Sequence, residues 1–450
     1  PTPPATTSVP VASPRTPRAV AALHPRDARL VPPEERVLAH RERSWAAQLP
    51  DVDPALLRWT AAAATIAGGD TEGDADALLA LLPALAGADA RALRGRLARW
   101  WADAVPGARL LNPLQPDRLG EHLAALTLTG MQDAAPGLLD GLLTLPSDRQ
   151  VGATLDLLAR THAGHPQLAQ LTDEAVLRNF VRLARRATGS PGAGHGGQGG
   201  APAADALLRL IAPSVVQRLV PGDDVPADRR ERERSVSIAC THLGELATVA
   251  GRDGEAHALL DAALRIDQAL AASAAGEVQY RREVAADQLR LAHLHAAAGR
   301  ASLAESGYRR ALDTLRELAE QDADNPAHWR QMVTAHTRLA DLDRDGERVA
   351  LADAGYRRAV DAVQALVTLD PENASYRREL AAAYVRLAEL DAAAGWVAQA
   401  ESGYRRATEL NEWLVRHDPG NADDRRRLEA DRLKLTTFAG DRTDNDDGRP

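Results

Sequence analysis

Between Glu231 and Phe438 the apolar positions recur every 48 residues. One phrase shows the period: AESGYRRA at 304–311, ADAGYRRA at 352–359 and AESGYRRA at 400–407. Leu243, Leu291, Leu339 and Leu387 share a register, as do Leu246, Leu294, Leu342 and Leu390 three residues on. Leucines three apart lie on one face of a helix, here helix A of each unit. Further on, Ala256, Ala304, Ala352 and Ala400 coincide, and so do Ala263, Ala311, Ala359 and Ala407. Alanines seven apart mark one face of a helix B and let backbones approach closely. Leu260 aligns with Tyr308, Tyr356 and Tyr404, and each tyrosine follows a glycine, which suits a ring packed across the hairpin. Asn325-Pro326 reads as a cap and first-turn pair, while Asp370-Pro371 and Asp418-Pro419 end the helix before them.

This pattern predicts an all-α fold whose second half is an array of two-helix hairpins at 231–278, 279–326, 327–374 and 375–422. A capping helix is expected at 423–438 and a disordered acidic tail at 439–450. A fixed period of this size marks an α-solenoid, in which each unit buries its apolar face on the next. The unit exceeds an ordinary tetratricopeptide repeat by about two turns per helix.

The first half shows helical spacing without a period. Residues 1–33 are rich in Pro, Thr and Ser, lack an apolar stretch and read as a disordered linker, not a signal peptide. An irregular helical domain is expected over 34–187, with seven or eight short helices. Asp53-Pro54 opens one of them, Pro83 breaks or kinks another, and Asp117 and Thr172 are expected caps. Ser147 and Gln150 fit a capping box. Trp45, Trp100 and Trp101 are assigned to the aromatic core of this domain. Residues 188–230 combine a glycine-rich linker with connecting helices.

Composition narrows the function classes. Ala and Leu dominate and Phe occurs twice, which favours helix over sheet. A net charge of -9 makes nucleic acid an unlikely partner, because phosphate contacts need clustered positive charge. The chain has 1 cysteine, Cys240, which excludes an intrachain disulfide and reads as a small buried hydrophobe. The sequence contains no run of apolar residues long enough for a membrane span, so a cytoplasmic location is expected.

The array resembles the long tetratricopeptide repeats at the C-terminus of bacterial signal-transduction ATPases of the STAND class (NACHT or NB-ARC-like). VSIACTHLGELATVAGR (236–252), ELAAAYVRLAELDAAAG (379–395) and AESGYRRATELNEWLVRHDPGN (400–421) carry the likeness. HRERSW (40–45), AAAATIAGGD (61–70), RLARWWAD (96–103) and LNPLQPDRLGEHL (111–123) look like the helical segment between ATPase and repeats in actinobacterial members. The family's ATPase needs a G-x-x-x-x-G-K-[ST] loop to hold phosphates. This sequence has none, and its single lysine, Lys434, stands far from any glycine-rich turn. The resemblance therefore implies the sensor and scaffold portion without its motor, as a C-terminal fragment or a degenerate paralogue.

No catalytic, cofactor or metal site is expected. His293 and His295 are two apart and point to different helix faces, and His162 and His165 have no third ligand in view. Two readings remain for the Tyr-Arg-Arg triplets. Arg309, Arg310, Arg357, Arg358, Arg405 and Arg406 form either a partner-binding ridge or pairs with acids such as Glu305 and Glu401 one turn earlier. The function expected is a non-catalytic scaffold or ligand-sensing module for a protein or peptide partner, with an acidic partner and association to an ATPase or effector domain in view. The alternatives are the regulatory part of a STAND-type ATPase and an autoinhibitory helical scaffold.

Overall fold

The computed structural model describes residues 32–188, 200–211, 213–221 and 227–446. Most of the expected linker at 1–33, most of the glycine tract and residues 447–450 lie outside the described residues. Every named element is helical, and the chain divides into two compact units, Pro1–Leu219 and Val220–Pro450.

The first unit contains α1 (Pro33–Gln48), α2 (Pro54–Ala67), α3 (Glu72–Leu79), α4 (Arg91–Ala104), α5 (Asp117–Gly130), α6 (Ala135–Leu143), α7 (Asp148–His162), α8 (Pro166–Thr188), α9 (Gly200–Leu210) and α10 (Pro213–Gln217). Asp53 caps α2 as expected, accepting from the Ala55 amide at 2.8 Å. Trp45, Trp100 and Trp101 are buried with ring centroids 5.6–6.2 Å apart. The indole of Trp101 donates to the Asn112 carbonyl at 2.8 Å, so the aromatic core also pins the 111–116 loop. Leu111 pairs with Gly69 through two backbone hydrogen bonds, and the Leu114 amide donates to Thr65 Oγ1 at 3.2 Å.

Several expected caps are corrected. Asp117 is the first helical residue, after Pro116, and caps nothing. Thr172 is fully buried in the middle of α8, which starts earlier at Pro166 because proline at the first position suits a helix N-terminus. Ser147 does cap α7, but Gln150 does not complete the box. Its amide reaches the Gly68 carbonyl at 2.6 Å and the Asp74 carbonyl at 3.3 Å, a tertiary demand invisible to local spacing. The full capping box sits at Thr71 and Asp74, opening α3. That helix ends at Leu79, and Pro83 begins a separate short 3-10 turn.

The second unit is four hairpins and a final helix. The A helices are α11 (Arg230–Val249), α13 (Val278–Ala297), α15 (Pro326–Asp345) and α17 (Ala374–Ala393), each of 20 residues. The B helices are α12 (Asp253–Ser273), α14 (Ala301–Gln321), α16 (Val349–Leu369) and α18 (Val397–His417), each of 21 residues. The last helix, α19 (Ala422–Asp446), runs past the expected end of the capping helix at 438 into the stretch assigned to a disordered tail. No proline stands between 422 and 446, and its one glycine, Gly440, weakens a helix by only about 1 kcal/mol. Where α17 has Ala381, Tyr384 and Ala388, α19 has Glu429, Arg432 and Thr436, so the terminal face is polar, as a solenoid end requires.

Two local devices set the hairpin. Each A helix ends in a left-handed residue: Gly251, Gly299, Glu347 or Gly395, with φ of 58–78°. The next amide donates back to the last turn, as from Arg300 to the His295 carbonyl at 2.8 Å. Close approach of the two helices depends on a small pair. A Cβ on Gly307, Gly355 or Gly403 would meet the Ala292, Ala340 or Ala388 methyl at 2.8–2.9 Å. In the first hairpin the pair is exchanged: Gly244 is on helix A and Leu260 fills the space from helix B.

Candidate interaction surface

The first leucine row, the second alanine row and the tyrosines of the repeat are interior. Leu243, Leu291, Leu339, Leu387, Ala263, Ala311, Ala359, Ala407, Tyr308, Tyr356 and Tyr404 are buried. They build the hairpins, and the positions between them carry the charged surface.

On the B helices the first arginine of each triplet pairs one turn back along its own helix. Arg309 meets Glu305 at 2.5 Å, Arg357 meets Asp353 at 2.9 Å and Arg405 meets Glu401 at 2.6 Å. Exposed pairs of this kind contribute about 0.3–0.5 kcal/mol each. The second arginines differ from one another. Arg310 donates to the Ser306 carbonyl at 3.4 Å, and Arg406 lies over the Tyr384 ring at 5.4 Å. Arg358 is exposed. The six arginines therefore sit on one face of successive B helices, with half of them already engaged by a carboxylate.

A second charged pattern runs along the A helices. Glu245, His293, Asp341 and Glu389 occupy one register, and Arg290, Arg338, Arg386 and Lys434 another. Three of these four bases reach the acid of the preceding unit: Arg290 to Glu245 at 2.9 Å, Arg386 to Asp341 at 3.4 Å, Lys434 to Glu389 at 2.6 Å. The ladder breaks at His293. Arg338 has no acid across from it and turns to Asp341 on its own helix at 3.6 Å. Arg344 approaches the same carboxylate at 3.6 Å, and the Tyr356 hydroxyl donates to it at 2.6 Å. The two registers are present in the sequence at the 48-residue period, but their pairing across units comes from the packed helices.

Arg344 and Arg386 line a cleft of about 670 Å³ formed by α15, α17, α18 and α19. Arg378 on its wall grips the buried Asp424 through two hydrogen bonds of 2.8 Å, which hold that carboxyl below the usual carboxylate range. Asn411 and Asp431 also line it, and both are buried. The Asn411 amide donates to Asp431 at 2.7 Å, and burial raises the Asp431 carboxyl.

A buried carboxyl pair between the first and second hairpins gave no signal in the sequence. Asp267 on α12 and Asp287 on α13 are almost wholly buried and close enough for the charge of Asp287 to act on Asp267. Ser237 donates to Asp267 at 2.9 Å, and Arg290 donates to Asp287 at 2.9 Å. Burial and the neighbouring Asp287 charge raise Asp267, while Arg290 restrains the rise at Asp287. Burial also raises the thiol of Cys240, which lies in contact range of both carboxyls' charge and is buried as expected.

The histidines are placed within hairpins. His293 packs edge-on against Tyr308 at 5.5 Å, and His295 lies 5.1 Å from His257. In the first unit His162 bonds Asp173 at 2.9 Å. No group of three potential ligands is gathered among the described residues, and none of their helices is long and apolar enough to cross a membrane.

These features define an all-α protein in which an irregular helical unit is followed along the chain by an α-solenoid of long hairpins. Neither a protein-family model nor a curated protein matches the chain. Among solved structures it is similar to BtubC (BKLC) from P. vanneervenii, at 17% identity and a TM-score of 0.31, over 52% of this chain and 94% of that one. It is also similar to a Signal Transduction ATPase with Numerous Domains (STAND) protein with a tetratricopeptide repeat sensor from Pyrococcus horikoshii. That likeness has 9% identity and a TM-score of 0.22, over 87% of this chain and 64% of that one. At these scores neither likeness adds to the helical-repeat architecture read from the geometry.

Proposed function

We propose that the chain is a non-catalytic, tetratricopeptide-like scaffold that binds a protein or peptide partner. The observation that supports this most is the charged rows on successive A and B helices, repeated in register over a packed interior. Such surfaces present many weak contacts at fixed spacing, which suits an extended partner. The Tyr-Arg-Arg face is one candidate contact, carried by Arg310, Arg358 and Arg406, since Arg309, Arg357 and Arg405 are paired on their own helices. The resemblance of the repeats to those of STAND-class ATPases supports placing the scaffold in a signalling assembly as its detection part, apart from nucleotide chemistry.

The test is affinity capture from the host with the full chain, compared with an Arg310→Glu/Arg358→Glu/Arg406→Glu variant. A partner recovered by the native chain and lost by the variant supports both the scaffold and the ridge. Recovery unchanged by the variant removes the ridge alone, and no reproducible partner removes the scaffold reading. Heat released on titrating ATP into the chain would overturn the non-catalytic assignment.

A further inference from the structure

We propose that the turn edge between the third and fourth hairpins is a docking site for an arginine side chain of a protein partner, held by Asp353 and Asp391. The proposal rests on the scaffold reading and names the chemistry of its partner.

One unit earlier the chain supplies the guanidinium itself. Arg348, in the turn of the third hairpin, reaches Asp343 on α15 at 2.7 Å and Glu305 on α14 at 3.0 Å. Glu305 also meets Arg309 at 2.5 Å, so two acids face two guanidiniums. Moved on by 48 residues, the acids become Asp353 on α16 and Asp391 on α17, and Arg309 becomes Arg357. Arg348 becomes Trp396. Arg357 is engaged by Asp353 through two hydrogen bonds of 2.9 Å. Asp391 is 2% exposed, and its Oδ1 receives no hydrogen bond. Burial raises its carboxyl, Arg357 restrains the rise and the Asp353 charge adds to it. The fourth hairpin is therefore one positive charge short of the set that the third completes.

Packing does not demand this carboxylate. The second hairpin has His257, His295 and Arg300 in the same three registers, with the two rings 5.1 Å apart. An acid buried without its own cation is costly, and a guanidinium brought by a partner removes that cost. Asp353 is the open member of the pair, with 20% of its side chain exposed. Asp391 is reached past it, as the buried Asp343 is reached by Arg348. A planar guanidinium joins two carboxylates, as Arg348 does, whereas an ammonium is a compact point charge. A metal ion needs more protein ligands, and no group of three is gathered among the described residues. The rim suits the remainder of an arginine. Trp396 is 37% exposed, and indole is the best aromatic face for a guanidinium. Leu351 and Val397, in the first turns of α16 and α18, are also exposed and offer apolar surface to the stem.

The experiment is fluorescence anisotropy of a fluorescein-labelled peptide of alternating arginine and glycine, titrated with the full chain. One control peptide has citrulline for arginine, which keeps the shape and removes the charge, and another has lysine. The arginine peptide is expected to bind about tenfold more tightly than the citrulline peptide and several-fold more tightly than the lysine one. Asp391→Asn is expected to lose about tenfold. Trp396→Arg should lose as much, because it closes the site with the chain's own guanidinium. Glu320→Gln, on the exposed surface of α14, changes the net charge equally and should bind as the native chain does. Unchanged helicity will confirm the fold of each variant, and Asp391→Asn keeps the test open if Trp396→Arg fails to fold. Equal binding of the arginine peptide and either control overturns the proposal. So does native affinity in Asp391→Asn, or an equal loss in Glu320→Gln. The scaffold reading survives any of these, because capture by the native chain uses neither these peptides nor these variants.

Discussion

Tyr308 and Tyr356 occupy equivalent positions one unit apart, yet their hydroxyls meet opposite fates. Tyr356 donates to Asp341 at 2.6 Å. Tyr308 is fully buried and its hydroxyl has no protein partner, because residue 293 is a histidine whose ring packs against it edge-on. Burial pushes the Tyr308 hydroxyl up to about 12, and burial together with Arg338 lowers His293, which is therefore neutral at pH 7. His293→Asp should rebuild the missing rung, giving Tyr308 an acceptor and Arg338 a cross-unit acid. A hydrogen bond to a charged acceptor contributes about 1.5–3 kcal/mol, and the lost ring contact and partial desolvation offset part of it, leaving a gain of about 1 kcal/mol. Solenoid stability is a sum over units, so the measurement should be local. Hydrogen exchange of α14 amides should slow about fivefold at that gain. Tyr308→Phe provides the cycle. It should be neutral or slightly stabilising in the native background but cost about 1–2 kcal/mol beside Asp at 293, as Tyr356→Phe should natively. If Tyr308→Phe proves as costly as Tyr356→Phe in the native chain, or His293→Asp speeds α14 exchange, the reasoning fails.

Three further outcomes follow from the same geometry. Glu347 holds φ of 58° where the other three units have glycine, so Glu347→Gly should raise stability by about 0.5–1 kcal/mol in urea denaturation. Gly355→Ala should cost about 1–3 kcal/mol by forcing its Cβ against Ala340, whereas Gly254→Ala, with open space around it, should not destabilise. The raised Asp267 and Asp287 carboxyls hold protons in the folded chain that the unfolded chain releases near pH 4. Their contribution is therefore full below that pH and is lost as pH rises toward about 8, the value reached by Asp267. Asp267→Asn, a mimic of the protonated form, should flatten this decline in urea melts taken from pH 5 to 8.

The amino-acid pattern alone determined the all-α class, the hairpin unit and the buried Leu, Ala and Tyr rows. Each follows from helical periodicity, and an array in which every hairpin meets a similar neighbour writes that periodicity four times over. Two caps with local chemistry were equally legible: Asp53 and Asn325 each accept from the amide two residues on. What failed was local spacing that tertiary contacts overrule, as at Gln150, which serves the Gly68 carbonyl instead of its own helix end. Only the fold could decide which charges meet. Glu245 and Arg290 are 45 residues apart in the chain, and the shared Asp341 becomes visible once neighbouring A helices are laid beside each other. The burial of Asp267 beside Asp287 is of the same kind, since the cost of burying a charge depends on what surrounds it and not on its neighbours in sequence.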